Sequence, residues 1–148
     1  MKPLIVLIVV FVITAVISQL LLGIWNFIIA GNVAMCCMLF LTASGHVLFT
    51  KGMVMMLPPF IPFKTFVIYF TGVVEVLLGI ALLISPLRHV AGIILFILFV
   101  SMLPANIYAA IKNIDIEKGT NNGPGLGYLW FRVPLQFLFI AGVIYFSI

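Results

Sequence analysis

The chain has 148 residues, 66% of them hydrophobic and 7% charged, with a mean hydropathy of +1.42 and a formal charge of +4. Soluble domains average about 25% charged residues, and the seven Lys or Arg and three Asp or Glu present here are too few to cover a water-facing surface. A soluble monomer and a disordered chain are thereby excluded, and so is a nucleic-acid-binding domain, because the basic residues stand singly rather than as a stripe.

The expected class is an all-α membrane protein, a helical bundle. A β-barrel would alternate polar and apolar residues, whereas Leu4–Ser18 and Ala91–Leu103 are long apolar runs. A membrane helix needs about 20 apolar residues, so this length holds five. Span one covers about Lys2–Leu22 and is read as an uncleaved helix, because its apolar core is longer than a signal-peptide core and no small-x-small site follows. Gly23-Ile24-Trp25-Asn26 breaks the helix, with a Trp suited to headgroup level. Span two covers about Phe27–Phe49. Its adjacent Cys36 and Cys37 point about 100° apart on a helix, read as small core residues rather than a disulfide.

The segment 50–64 carries Pro58, Pro59 and Pro62, which end a helix. It is apolar nonetheless, so it is expected at the membrane interface or as a re-entrant loop. Its run Met53-Val54-Met55-Met56 reads as interface filler, or else as an adaptable binding surface. Span three covers about Thr65–Ile84, and span four about Leu87–Ile111 with a kink at Pro104. Lys112–Gly127 is the one polar stretch and is expected to be a surface loop. Span five covers about Tyr128–Ile148.

Orientation follows from the basic residues. With the N-terminus cytoplasmic, Lys2, Lys51, Lys64, Lys112 and Lys118 lie inside and Arg88 outside, and Arg132 lies near the inner end of span five. The C-terminus then faces outward. The expected location is a cell membrane, the inner one in a bacterium.

Polar groups inside a bilayer are costly and face a partner or a cavity. Five stand out: Glu75 in mid-span three, Arg132 and Gln136 one turn apart on span five, Asn106 after Pro104, and His46 near the inner end of span two. Glu75 lies roughly 14 Å from the inner start of its helix. All five fall in the inner half or at the midplane, which one inward-opening polar pocket would explain. The structural alternatives are a Glu75–Arg132 ion pair, Asn106 bonding carbonyls freed by Pro104, Gln136 as interhelical glue, and His46 capping span two. Gly72 and Gly79 share a face with Glu75, a stripe suited to close helix contact. No catalytic residue and no metal ligand set is expected. His46 and His89, the latter placed in an outer loop, lie at opposite faces and cannot share one haem.

Four ordered segments resemble those of the DoxX-like membrane proteins: Gly45-His46 with Phe49 and Met56-Leu57-Pro58-Pro59-Phe60-Ile61-Pro62; Tyr69–Gly79 around Glu75; Leu103-Pro104-Ala105-Asn106; and Trp130-Phe131-Arg132-Val133-Pro134-Leu135-Gln136. Val47 stands where that family commonly has Phe. The resemblance runs from about residue 30 to the C-terminus. It implies a four-helix core over 27–148, with residues 1–26 as an extra N-terminal helix. It also implies an accessory or assembly component of a membrane complex, some relatives being linked to redox systems. The alternative is a binder of an apolar small molecule, such as a quinone or lipid, in a pocket walled by the polar cluster. Quinone is the one cofactor such a pocket would take. The expected partners are the bilayer, a membrane complex and further copies of the chain. A transporter is the weakest reading, since no internal repeat is visible.

Overall fold

The computed structural model describes residues 2–148. It is all-helical, with helices α1 (Lys2–Leu22), α2 (Phe27–Leu48), α3 (Thr50–Met56), α4 (Lys64–Leu83), α5 (Ser85–Ile111) and α6 (Leu129–Ser147), and a 3-10 turn at Gly125–Tyr128 before α6. Five helical segments are long and apolar enough to cross a membrane, as a multi-pass membrane protein requires. Their bounds agree with the expected spans to within about three residues.

The breaks have local causes. Gly23 sits at φ +68 and ends α1, and the Asn26 side chain then accepts from Ile29 N to start α2. Pro86 lies in the first turn of α5, where no intrahelical donor is lost. Only Ile84 separates α4 from α5, so His89 belongs to the helix rather than to the expected loop.

The core is drawn from four helices. Met35, Met38 and Leu39 of α2 meet Leu78 and Leu82 of α4, Leu95 and Phe99 of α5, and Ile140 and Val143 of α6. Helix α1 lies along α2 outside this core, and most of its side chains remain exposed. Apolar side chains face outward around the whole bundle, among them Leu77, Ile97 and Phe137. In water such a surface would drive aggregation.

One end of the bundle collects the lysines. There α1 starts, α2 ends, α4 starts, α5 ends and α6 starts, which brings Lys2, Lys51, Lys64, Lys112 and Lys118 to the same end and leaves Arg88 at the other. The polar stretch at this end is more ordered than a surface loop. Asp115 and Thr120 form an isolated bridge, the Lys118 amide donates to Asp115 Oδ1, and Ile114 is buried. This turn seats on α3: Gly52 lies so close to the backbone of Ile116 that a Cβ would overlap its carbonyl oxygen. The proline segment after α3 is half-buried at Leu57, Pro58 and Ile61 and exposed elsewhere, and it turns back into α4 through Phe63, a non-glycine residue at φ +50. Phe60 and Phe63 project outward, each 83% exposed.

Candidate functional site

The five polar residues fall into two hydrogen-bonded groups, and the expected Glu75–Arg132 pair does not form. Helices α4 and α6 make hardly any direct contact, because α2 and α5 lie between them in the packing. Each residue therefore pairs with the neighbouring helix instead.

The first group joins α2 to α4. His46 Nε2 lies 3.3 Å from Glu75 Oε1, and both side chains are buried. His46 Nδ1 lies 2.7 Å from the Ile68 carbonyl oxygen. A carbonyl can only accept, so Nδ1 carries a hydrogen and donates. The Thr42 hydroxyl lies 2.8 Å from the other carboxyl oxygen, Glu75 Oε2. The imidazole and the carboxyl thus face each other, each held by a further hydrogen-bond partner, which makes deep burial tolerable.

Counting along the helices would not have joined these two residues. Glu75 lies roughly 16 Å along α4 from Lys64, while His46 is roughly 3 Å from the last residue of α2. They meet because α3 and the proline segment carry the chain further toward the lysine end before α4 begins. Ile68 and Gly72 thus come level with His46. Gly72 is the enabling residue: a Cβ there would sit 3.0 Å from His46 Cβ and 3.1 Å from Cγ.

His46 also forms part of the wall of a groove between α2 and α4, with a volume of about 370 Å³. Phe40, Ser44, Val47, Tyr69, Val73 and Val76 are among its other lining residues, and it opens on the apolar outer surface. Thr42, the second partner of Glu75, carries no signal in the sequence that would mark it out.

The second group joins α5 to α6. Arg132 Nη1 donates to Asn106 Oδ1 at 2.6 Å, and Asn106 Nδ2 donates to Gln136 Oε1 at 2.8 Å. Gln136 Nε2 in turn donates to the Phe99 carbonyl oxygen. Asn106 is therefore occupied by side chains of α6 and not by carbonyls freed at Pro104. Gln136 is interhelical glue, as one expectation had it. Replacing Gln136 by Leu should lower stability by about 1–2 kcal/mol, since it strands the Asn106 donor at a buried contact. Unfolding in mixed micelles would measure this, and an unchanged midpoint would show that the relay bears no load.

Cys36 is buried and Cys37 half-buried, and both are free. Among the described residues no cluster of His, Cys, Asp or Glu could hold a metal ion.

The architecture is that of a small apolar helical bundle with two buried polar relays between neighbouring helices. The chain belongs to the family described as Domain of unknown function (DUF8561), whose family model matches residues 35–147. The matched stretch begins inside α2, includes both polar groups and leaves α1 outside. No curated protein and no solved structure matches the chain.

Proposed function

We propose that the protein is a multi-pass membrane protein of the DoxX-like type, with a cytoplasmic N-terminus and an outward C-terminus, that binds an apolar small molecule in the α2–α4 groove. The single observation that carries this reading is buried His46, held from behind by Glu75, in the wall of a mainly apolar groove that opens sideways. Few convergent polar groups in an apolar concavity are the usual form of a small-molecule site. The volume suits a ring with one or two oxygens, as in a quinone headgroup or a hydroxylated lipid. The Tyr69 and Ser44 hydroxyls and the His46 ring are the polar groups that the wall presents to such an oxygen.

The lysine-bearing end supports the orientation, since cytoplasmic faces carry an excess of Lys and Arg. Exposed Phe60, Phe63 and Trp130 at that end, and Trp25 and Tyr145 at the other, suit the two aromatic belts. An inner membrane is the expected home if the source is bacterial.

The accessory role in a membrane complex, which the DoxX-like resemblance implies, is the second reading. The sideways opening that admits a ligand also admits a side chain from a partner helix or from another copy of this chain.

Mass spectrometry of the wild type, Glu75→Gln and Val73→Trp, gently extracted from native membranes, separates the two. Val73 is 57% exposed on the groove wall, so a Trp there fills the groove and leaves the polar pair intact. The expected result is a small molecule that accompanies the wild type and is reduced at least about tenfold in both variants, a differential of about 1.4 kcal/mol. Equal retention in all three overturns the groove reading. A protein that accompanies the wild type and is lost from Val73→Trp, with no small molecule present, replaces it by the accessory role.

A further inference from the structure

Arg132 is one of the cations to which the described residues bring no carboxylate. The three acidic side chains are otherwise engaged. Glu75 lies against His46 and Thr42, Asp115 accepts from the Lys118 amide, and Glu117 lies 3.9 Å from Lys2. Among the described residues no carboxylate lies within ion-pair distance of Arg132. Yet its guanidinium is half-buried and held in one place. Nη1 is fixed by Asn106, Asn106 by Gln136 and Gln136 by the Phe99 carbonyl, while the guanidinium carbon lies 5.4 Å from the centroid of the Tyr128 ring.

This relay has a direction. Every member donates toward Phe99, so both amide orientations are set and Arg132 stands at the donor end. A guanidinium offers several N–H donors in a planar fork. One is used by Asn106, and the rest find no acceptor among the described residues. A preoriented fork with free donors is the arrangement that takes a planar or tetrahedral oxyanion through two parallel hydrogen bonds.

The depth selects the anion. Arg132 lies within the first turn of α6, two residues from Trp130, which is 86% exposed. An outward Trp at a helix end marks headgroup level. Phosphate is the oxyanion found there, and anionic lipids are concentrated in the cytoplasmic leaflet.

We infer that Arg132, oriented by the Asn106–Gln136 relay, binds the phosphodiester of an anionic phospholipid of the cytoplasmic leaflet. This rests on the membrane orientation proposed above but not on the groove ligand, which sits between other helices. The bound lipid supplies the charge that the chain lacks, and it fixes the inner ends of α5 and α6 relative to the bilayer surface.

The test is native mass spectrometry of the full chain in micelles titrated with phosphatidylglycerol or phosphatidylcholine. Wild type should retain phosphatidylglycerol over phosphatidylcholine by at least about fivefold, the ratio expected from one interfacial cation. Arg132→Gln keeps a donor for Asn106 and removes the charge, so the preference should fall at least about fivefold while the melting temperature changes little. Asn106→Asp places a carboxylate against the guanidinium, so it too should abolish the preference, with a lowered melting temperature because Gln136 Oε1 loses its donor. Lys118→Gln removes the same charge from the same end away from the site and should leave the preference unchanged. Val73→Trp should leave it unchanged as well, which keeps this result separate from the groove experiment. The inference is overturned if Arg132→Gln retains the preference, or if Lys118→Gln abolishes it equally. It is also overturned if inorganic phosphate at millimolar concentration displaces the lipid, which would make the ligand a soluble anion, or if Arg132 is occupied instead by an acidic side chain of a co-purifying protein.

Discussion

Replacing Glu75 by Leu should lower the stability of the bundle by about 3–5 kcal/mol, the usual penalty for removing one member of a buried pair. His46 keeps its bond to the Ile68 carbonyl but faces a methyl group through Nε2, and the Thr42 hydroxyl loses its carboxyl acceptor. Adding His46→Leu should restore most of the loss, because two apolar residues of adequate volume leave no polar atom stranded. Equilibrium unfolding in mixed micelles, run as a double-mutant cycle, measures both steps. If the single and double variants are equally destabilised, the contact between His46 and Glu75 is not what holds α2 on α4. The double variant also serves the functional argument. It should be folded and should carry no groove ligand, so it separates loss of chemistry from loss of structure.

Gly72→Val is expected to cost about 2–3 kcal/mol through overpacking. The new Cβ alone would approach His46 Cβ and Cγ to 3.0 and 3.1 Å, and the branched carbons would enter the ring volume. The ring has little freedom to retreat, being bonded on one side to Ile68 and on the other to Glu75. Helix α4 must then move away from α2, which opens the core contact between Leu78 and Met38 as well. Gly72→Ala should lie between wild type and Val, since a methyl needs only a shift of a few tenths of an ångström. Thermal melting of the three variants gives the order. A tolerated Val would mean that the close approach at Gly72 is not needed to seat His46.

The helical elements were legible because each span is a long apolar run closed by Gly, Pro or Asn, and hydropathy alone marks such runs. Gly23, Pro86 and Asn26 do at the helix ends what their chemistry demands. The membership of the site was legible too. Polar residues are rare in the spans, so Glu75, Arg132, Asn106, Gln136 and His46 announced themselves. Their partners were not legible. Pairing Glu75 with Arg132 assumed that opposite charges find each other across the bundle, but the packing order keeps α4 from α6. The vertical offset of α4 against α2 also escaped notice, because it depends on the path of residues 50–63. A short helix and a proline turn there carry no periodic signal. The loop at 112–127 is a surface segment, as its polarity suggests, but polarity does not show that Ile114 and Gly119 are buried or that Gly52 receives Ile116.

The one-residue connection at Ile84 bears on how the chain enters a bilayer. Helices α4 and α5 share a one-residue turn, so in the folded protein they form a tight helical hairpin. In the proposed orientation the tip of that hairpin is the part pushed across, and Arg88 is its only basic residue of fixed charge. Its Nε already donates to the Leu82 carbonyl, 3.0 Å away in the last turn of α4. This one-residue loop thus brings with it a hydrogen-bond acceptor for the one fixed cation at its tip.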